Sequence, residues 1–274
     1  PKLLEFTFEI DARNANRMAA LFNLDVVVTG DPIPPLWHWA FSQQPAKQRE
    51  IGTDGHPRKG GFLPPISLPR RMFAGSKLSF HRLLHVGETY HYSSSINGVS
   101  VKQGKSGKLA FVRVEHRIAD EDGVSCLDEA QDIVYREAST ASQPATAASS
   151  SDRDWDSDWD WKEKIVADPV MLFRYSAVTY NGHRIHYDFP YATQIEGYPG
   201  LVVHGPLLAT LMTKAIGDRI PKARLVKFEF AGKSPVFSGD EFWVAMRQTP
   251  NSNKVETAIF SDDSIAITVR AELE

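Results

Sequence analysis

The chain has 274 residues, of which 42% are hydrophobic and 24% are charged, and its formal charge is −3. These values are typical of a folded globular protein with one large domain or two ordinary ones, and they exclude a largely disordered chain. The weakly acidic balance gives no electrostatic basis for binding nucleic acid, and no apolar run reaches the ~20 residues that a membrane-spanning helix needs.

The first predicted elements are a strand and a helix. Residues Leu3–Ile10 alternate between apolar and polar side chains, as a half-buried strand does. Asp11 is the expected N-cap of a helix over Ala12–Phe22. Residues 30–75 are rich in glycine and proline, which predicts a long ordered loop. Its large apolar side chains are expected to close the core, or also to wall a tunnel for an apolar ligand: Leu36, Trp37, Trp39, Phe62, Leu63, Met72 and Phe73.

Strand-like runs fill the rest of the first half, and turn signals separate them. They are Leu78–Phe80, Thr89–Ile96, Leu109–Arg117 and Ser125–Tyr135. One helix followed by several long strands predicts a sheet wrapped round a helix. Residues 138–160 then change to small and acidic residues with interspersed tryptophans, which predicts a flexible acidic linker. Its aspartates are expected to be solvated, and its tryptophans to dock onto the domain that follows.

The second half repeats the order of the first. Met171–Val178 suits either a strand or a short helix, and Val202–Ile216 is apolar on nearly every face, as in a buried helix. The predicted strands are Arg224–Phe230, Glu241–Arg247, Lys254–Phe260 and Ser264–Leu273. A strand–turn–strand unit around Gly87 has an echo around Gly239. We therefore predict two similar α+β units in tandem, residues 1–137 and 161–274, joined by the linker at 138–160.

Residues 180–208 combine acid–base side chains with the start of an apolar helix. Three of the nine histidines lie there: His183, His186 and His204. His186 titrates near neutral pH, so it can take and return a proton, while the Asn181 amide can hold a water or a substrate oxygen. Gly205 can offer an N–H to a substrate carbonyl at the helix N-terminus. This set suits proton removal next to a thioester, or addition of water across the adjacent double bond.

Other chemistries lack a signature. The sequence contains no GxSxG turn, and its single cysteine, Cys126, has no activating neighbour, so covalent acyl transfer is not indicated. It also contains no glycine-rich nucleotide loop. His183, His186 and Asp188 would bind a metal if they lay on a helix, but the preceding glycine and the following FPYAT favour a turn. We therefore expect neither a metal nor a redox cofactor. Five of the six remaining histidines are expected to be structural: His38, His56, His85, His91 and His116.

Three separate motifs resemble those of the MaoC-like, or (R)-specific enoyl-thioester hydratase, family. The family motif is roughly [ST]-G-D-x-N-P-[LIV]-H-x-D, followed about eighteen residues later by HG and then by K-x-P-V-x-x-G-D. The chain reads TYNGHRIHYD at 179–188, HG at 204–205 and KSPVFSGD at 233–240. The resemblance places His186 on the catalytic histidine and Gly205 on the glycine whose N–H polarises the thioester carbonyl.

The resemblance also exposes departures from the family motif. Asn181 falls on the catalytic aspartate, His183 on the motif asparagine and Arg184 on the proline. An amide cannot act as a general base near neutral pH. Either His186 alone moves the protons while Asn181 positions the water, or another group such as Asp188 assists. We prefer the first alternative and keep His183 and Asp188 as candidates for catalytic support.

Further passages resemble the two-hot-dog subgroup of this family. They are PPLWHW at 34–39, GGFLPPISLPRRMFAG at 60–75 and EAQDIVYRE at 129–137. The subgroup includes type 2 hydroxyacyl-thioester dehydratases and mesaconyl-C4-CoA and itaconyl-CoA hydratases. The resemblance implies an α+β tandem hot-dog fold, in which an antiparallel sheet wraps a central helix in each unit. The second unit would carry the catalytic motif, and the first would help to form the acyl pocket.

The resemblance implies a hydro-lyase that acts reversibly on 2-enoyl and 3-hydroxyacyl thioesters. Coenzyme A or acyl carrier protein would carry the acyl group, so coenzyme A or phosphopantetheine enters as part of the substrate. The expected substrate-binding residues are Arg184, Phe62, Trp37, Met72, Arg71 and Lys233. Arg184 suits a free substrate carboxylate, or else pairs with the acidic surface or a phosphate. The alternatives to this function are a hot-dog acyl-thioesterase and a non-catalytic acyl-thioester-binding module.

Assembly and compartment are also expectations from the resemblance. We expect a homodimer that binds no nucleic acid and has no membrane span. In a eukaryote the protein would lie in the mitochondrial matrix, with its targeting peptide absent or trimmed. In a bacterium it would be cytoplasmic.

Overall fold

The computed structural model of the protein describes residues 2–104, 107–137, 159–261 and 264–274. Most of the predicted linker, including Trp155, lies outside the described residues. The described strands are β1 (Leu3–Glu9), β2 (Arg70–Phe80), β3 (Thr89–Gly104), β4 (Gly107–Ala119), β5 (Ser125–Arg136), β6 (Trp161–Val166), β7 (Leu225–Gly232), β8 (Glu241–Gln248), β9 (Lys254–Ser261) and β10 (Ser264–Leu273). The α-helices are α1 (Ala12–Leu21), α2 (Pro169–Val178) and α3 (Gly205–Arg219). No helix in these ranges is long and apolar enough to cross a membrane.

The described strands form one antiparallel sheet in the order β1-β3-β4-β5-β2-β7-β10-β9-β8-β6. Each half of the chain contributes five neighbouring strands, and β2 pairs with β7 at the seam, from Gly75 opposite Ala231 to Ser79 opposite Lys227. A Cβ at Gly75 would lie 2.3 Å from the carbonyl oxygen of Phe230, so only glycine fits there. The predicted α+β class is confirmed.

Side-chain caps fix the starts of the first two helices. The Asp11 carboxylate accepts a hydrogen bond from the Asn14 N–H at 2.8 Å, which confirms the predicted cap of α1. Asp168 accepts from the Met171 N–H at 2.7 Å, and Pro169 stands in the first turn. These signals place a helix at the segment for which the sequence left a strand or a helix open.

Helix α3 begins at Gly205, three residues later than predicted. The preceding residues instead pair with the segment that leads into β8: the Val203 N–H donates to the carbonyl of Val236 at 2.8 Å, and Val202 bridges Phe237. These bonds hold the chain extended up to the first turn, where Pro206 fits. Because the extended pairing stops directly before it, Gly205 opens the buried helix.

Two strand assignments differ from the predictions. Residues 70–75 were predicted to be loop but form the first part of β2, because this strand is central and pairs with both β5 and β7. Strand β6 was not predicted; it pairs with β8. The docking predicted for the tryptophans is confirmed for two of them. Trp159 meets Phe260 edge-to-face at 5.5 Å, and the Arg219 guanidinium lies 4.4 Å from the Trp161 ring.

The first unit differs from the expected hot-dog arrangement in one respect. In the second unit, α3 packs against β8 and β9, and nine of its fifteen residues are buried. In the first unit, residues 22–69 between α1 and β2 contain no α-helix, and their helical turns are short, at Trp37–Ala40 and Gln48–Glu50. Proline and glycine prevent a longer helix there. This long connection instead extends to the second unit.

A buried carboxylate ties this connection to the sheet. Glu129 of β5 is 5% exposed and accepts hydrogen bonds from the Trp39 Nε1–H at 3.0 Å and from the Ser76 hydroxyl at 2.6 Å. His38 Nε2 lies 3.4 Å from it. Burial by itself would raise the pKa of Glu129, but the bond with His38 and the charges of His116 and His38 lower that pKa to about 2.

Replacing Glu129 with alanine is expected to lower the free energy of unfolding at pH 7 by about 2–4 kcal/mol, because buried donors lose their acceptor. The carboxylate stabilises the fold above its unfolded-state pKa of about 4.3. That stabilisation is lost as the pH falls through the lowered folded-state pKa, so the difference should shrink in acid. Urea unfolding measures both effects. Glu115→Ala, an exposed carboxylate on β4, is the control, and equal stability of the two variants would contradict this role.

Candidate active site

The turn that follows α2 is built on a side-chain hydrogen bond. The Oδ1 of Asn181 accepts from the His183 N–H at 3.0 Å, and Tyr180 before it has a positive φ of 51°. Asp and Asn favour such local bonds to the backbone two residues on. A short helical turn, Arg184–His186, follows, so the predicted turn is confirmed. This bond uses one of the two lone pairs of Oδ1, and the NH2 group of the same amide is a hydrogen-bond donor.

His186 is held as a neutral imidazole with one defined tautomer. It is 7% exposed, and its Nδ1 lies 2.7 Å from the carbonyl oxygen of Val202. A carbonyl can only accept, so Nδ1 carries the proton and Nε2 keeps a free lone pair. Burial lowers the pKa of His186 to about 4, although the bond to Val202 opposes that shift. At neutral pH the ring is therefore a base with Nε2 as its acceptor atom.

His204 forms the wall behind His186. The two rings stack with centroids 3.7 Å apart and an interplanar angle of 19°. His204 Nε2 is bonded to the Ser176 hydroxyl at 2.8 Å, while its buried Nδ1 has no partner among the described residues. Burial and the neighbouring histidines hold the pKa of His204 well below its ordinary value. The sequence singled out this residue without giving it a role, and in the structure its ring packs against that of His186.

Gly205 begins α3 with an open backbone N–H. His204 at the N-cap makes no side-chain capping bond, and no described residue accepts a hydrogen bond from the Gly205 N–H. The partial positive charge of a fifteen-residue helix adds to this donor. A Cβ at Gly205 would lie 3.7 Å from the Phe73 ring, so an aromatic side chain of β2 borders the donor. An oxygen with growing negative charge would be stabilised here.

A loop from the first unit packs on the turn at residues 180–186, which is named the catalytic turn after the family motif that it carries. The Arg184 N–H donates to the carbonyl of Asp54 at 2.9 Å, and the Arg184 guanidinium donates to the carbonyl of Thr53 at 2.9 Å. Gly55 has a φ of +88°, and a Cβ there would lie 1.8 Å from the carbonyl oxygen of Gly182. Backbone therefore meets backbone, and this docking requires glycine at position 55.

The docked loop brings Asp54 and His56 to the site. His56 Nδ1 lies 3.2 Å from the Asp54 carboxylate, and the His56 ring lies 4.2 Å from that of His183. Burial would raise the pKa of Asp54, but His56 and Arg71 hold it well below its usual range. Burial lowers the pKa of His56. The centroids of the His183 and His186 rings are 5.3 Å apart, so His183 lies between the docked loop and His186.

Sequence reasoning missed these two residues. It treated His56 as structural and did not consider Asp54, because both lie more than 120 residues before the catalytic turn. One signal was available: a D-G-H tripeptide between Gly52 and Pro57, in a connection much longer than the fold needs.

One group of described residues has the donors for a metal ion: the ligand atoms of Asp54, His56 and His183 lie within 4.8 Å of one another. The charge of Arg71 acts on all three, which opposes a bound cation. The His183–His186–Asp188 set considered from the sequence is not assembled, because both carboxylate oxygens of Asp188 are engaged. One pairs with Arg184 at 2.8 Å, and the other accepts the Tyr191 N–H at 3.1 Å.

The Arg184 side chain contacts both units. Its guanidinium pairs with Asp188, donates to Thr53 and lies 4.1 Å from the ring of Tyr191. These contacts occupy the group that was predicted to bind a substrate carboxylate or to meet the acidic surface. Asp188, predicted as catalytic support, holds Arg184 in this position, and Arg184 lowers the pKa of its carboxyl.

The other predicted substrate-binding residues divide into two groups. Arg71 and Met72 border a cleft that also involves Asp54, His183, Ile185 and Tyr198. Trp37 is 2% exposed and stacks on Phe22 in the core. Phe62 packs against a second apolar cluster around Tyr135, and Lys233 is exposed beyond the end of β7. The structure therefore brings only Arg71 and Met72 of this set to the cleft beside His183.

Comparison with known proteins gives consistent matches over most of the chain. A family model described as hydroxyacyl-thioester dehydratase type 2 matches residues 36–238. Mesaconyl-C(4)-CoA hydratase of Chloroflexus aurantiacus is 42% identical over 243 residues, which is 88% of this chain and 84% of that protein.

Two solved structures show the fold. A MaoC-like dehydratase from Phytophthora capsici has a TM-score of 0.69 at 15% identity, over 99% of this chain and 95% of that one. A protein of Mycobacterium tuberculosis described as having a double hotdog fold has a TM-score of 0.60 at 12% identity, over 100% of this chain and 96% of that one. The double hot-dog architecture predicted from the resemblance is confirmed.

Proposed function

Since the chain belongs to the hydroxyacyl-thioester dehydratase type 2 family, we propose that this site adds water reversibly to 2-enoyl thioesters of coenzyme A, with His186 as acid–base residue. The observation that carries the proposal is that a neutral, buried imidazole stacks on the N-cap residue of a helix whose N-terminus is open. His186 Nε2 is free because Nδ1 donates to Val202, and the Gly205 N–H is free because no described group caps the helix.

The residues account for each step of the hydration. As the water oxygen bonds to the β-carbon, His186 Nε2 takes one proton from the water. The π-electron pair moves towards the α-carbon and the thioester oxygen, where the Gly205 N–H and the helix dipole stabilise the charge. The imidazolium then returns its proton to the α-carbon, which restores neutral His186. These reaction steps need no redox cofactor or metal, and dehydration is the same steps in reverse.

We propose a short acyl group that carries its own carboxylate. The similar Chloroflexus protein is named a mesaconyl-C(4)-CoA hydratase, and a carboxylate on the acyl chain requires a cation in the cleft. Arg184 is engaged by Asp188, and Arg70 by Glu196 at 3.0 Å. Arg71 borders the cleft and forms no salt bridge with any described residue. Arg71 is therefore the group that would bind this carboxylate.

Arg71→Gln is expected to raise KM for a dicarboxylic enoyl-CoA by about 10–100-fold, the effect of losing one charge-assisted hydrogen bond. KM for crotonyl-CoA, which has no second carboxylate, should change less than about threefold. Steady-state kinetics with both substrates measures the difference. Arg117→Gln, on the exposed face of β4, controls for loss of positive charge. Equal effects on the two substrates would assign Arg71 to the coenzyme instead.

One assay tests the proposed function against its alternatives. Mesaconyl-C4-, itaconyl-, crotonyl- and long-chain enoyl thioesters, on coenzyme A and on acyl carrier protein, are followed by enoyl absorbance and by thiol release. A hydratase removes the enoyl absorbance and forms hydroxyacyl thioester without releasing thiol. Rapid thiol release would establish a thioesterase. Turnover no faster than that of a His186→Ala variant on every substrate would establish a binding module.

Assembly and compartment stay predictions. The family likeness favours a homodimer, which sedimentation velocity would test. The mitochondrial matrix in a eukaryote, or the cytoplasm in a bacterium, is the expected compartment.

A further inference from the structure

The attacking water needs two acceptors, and His186 supplies one. A water that uses an oxygen lone pair to attack carbon is best oriented when both of its hydrogens are donated. The resemblance aligns Asn181 with a carboxylate, which could accept the second hydrogen. Here Oδ1 of Asn181 already accepts from the His183 N–H at 3.0 Å, and a neutral amide oxygen is a weaker acceptor than an ionised carboxylate. A stronger acceptor for the second hydrogen must therefore come from outside the catalytic turn.

We propose that His56, oriented by Asp54, is the second catalytic residue and accepts the other hydrogen of the attacking water. Both residues come from the first unit, on the loop that docks through Gly55 against Gly182. The His56 ring lies 4.2 Å from the His183 ring, which in turn lies 5.3 Å from the His186 ring. The His183 ring therefore contacts both the His56 ring and the His186 ring. The inference rests on the proposed hydration.

The contacts of Asp54 select the tautomer that this role needs. The carboxylate accepts from the His56 backbone N–H at 3.0 Å and lies 3.2 Å from Nδ1 of the same residue. An ionised carboxylate can only accept, so Nδ1 carries the proton and Nε2 presents its lone pair. His186 is arranged in the same way, with the Val202 carbonyl in place of the carboxylate. Both imidazoles thus offer Nε2 as an acceptor, and Asp54 is a positioning residue.

Exposure and charge fit a role at the mouth of the site. The side chains of His56 and Asp54 are 24% and 25% exposed, whereas His186 is 7% exposed. His56 is thus the more accessible of the two imidazoles to a substrate that enters from solvent. Burial lowers the pKa of His56, and the Asp54 hydrogen bond opposes that shift, so the ring is neutral at pH 7 and available as an acceptor.

The step balances with two acceptors and one transferred proton. One water hydrogen passes to His186 Nε2 as the oxygen bonds to the β-carbon, and the other stays on oxygen, hydrogen-bonded to His56 Nε2. The π pair moves to the α-carbon and thioester oxygen, and the His186 imidazolium then protonates the α-carbon. The product keeps its hydroxyl group against His56. Both imidazoles and the Asp54 carboxylate end in the protonation states in which they began.

The test compares His56→Ala and Asp54→Asn with His81→Ala in the full chain. His81 pairs with Asp128 at 2.7 Å on the surface and is a matched histidine–carboxylate control. On whichever enoyl-CoA the wild type hydrates, we expect kcat to fall on the order of 10²-fold for His56→Ala and about tenfold for Asp54→Asn, with KM within about threefold. Added imidazole should restore part of the His56→Ala rate. Nitrogen-15 NMR of labelled histidine should show His56 with its proton on Nδ1 in the wild type and a mixture of tautomers in Asp54→Asn.

Three outcomes would overturn the assignment. In the first, His56→Ala keeps the wild-type kcat while His186→Ala loses activity, which removes His56 but leaves the hydratase intact. In the second, imidazole fails to rescue and unfolding shows a destabilised protein, which makes the dyad structural. In the third, purified wild type holds one equivalent of metal, detected by mass spectrometry, and loses activity on chelation. That result would make Asp54, His56 and His183 metal ligands. A wild type that hydrates no enoyl thioester would instead refute the proposed function itself.

Discussion

His186→Ala is expected to lower kcat/KM for hydration by about 10²–10⁴-fold, the scale for a positioned acid–base group. The variant removes the one ring whose free Nε2 lies within the buried histidine stack and leaves Gly205 and the rest of the cleft in place. Stopped-time assays of enoyl absorbance measure the rate, and thermal unfolding checks that the fold survives. His85→Ala, a partly exposed histidine outside the cleft, is the control. Activity within threefold of wild type would exclude His186 as the base.

The same residue sets the acid limb of the pH profile. Protonated His186 cannot accept a proton from water, so activity is present above its pKa and falls as the pH drops through it. Because burial lowers that pKa to about 4, kcat/KM should hold from pH 7 to about pH 5 and decline near pH 4. A limb at pH 6–7, the range of an exposed histidine, would contradict the buried neutral ring.

Gly55→Ala is expected to reduce kcat by about 10²-fold, because the methyl group would lie 1.8 Å from the Gly182 carbonyl oxygen and force the loop off the catalytic turn. Asp54 and His56 would leave the site with it. Gly30→Ala is a matched control: its φ of +92° is close to the +88° of Gly55, but no atom lies within 4 Å of its Cβ position.

Both glycine variants should pay a similar backbone strain of about 1 kcal/mol. The difference in kcat between them therefore reports the docking of the loop rather than the strain. Urea unfolding of each variant verifies that their stabilities are comparable. Equal activities of Gly55→Ala and Gly30→Ala would show that the loop contributes nothing to the reaction.

The parts of the site that lie close together in sequence could be predicted from it. His186 and Gly205 stand in a recognisable spacing, and the turn and the apolar helix that position them are local features. Residues that meet only through tertiary contacts could not be found in this way. Asp54 and His56 reach the site because a loop from the first unit packs on Gly182. Single-sequence patterns carry no information about such a contact.

The same limit applies to the fold. The Asp11 cap and the strands with clear alternation were predicted, because each depends on a few adjacent residues. The first part of β2 was missed because Pro69 and two arginines hide its pattern, and its pairing with strands from both halves overrides local preference. Likewise, the roles left open for Arg184 could not be separated from the sequence, because its contact with the Thr53 carbonyl exists only once the two units meet.

The close approach of Gly75 to the Phe230 carbonyl has a consequence for the geometry of the cleft. A slip of one residue between β2 and β7 would put Ala74 or Ser76 at this position, and either Cβ would collide with the carbonyl oxygen. Gly75 therefore fixes the register in which β2 pairs with β7. Phe73, two residues upstream, borders Gly205, and Arg71 and Met72 come just before it. The alignment that this one glycine permits between the halves thus determines which side chains of the first unit face the helix end of the second.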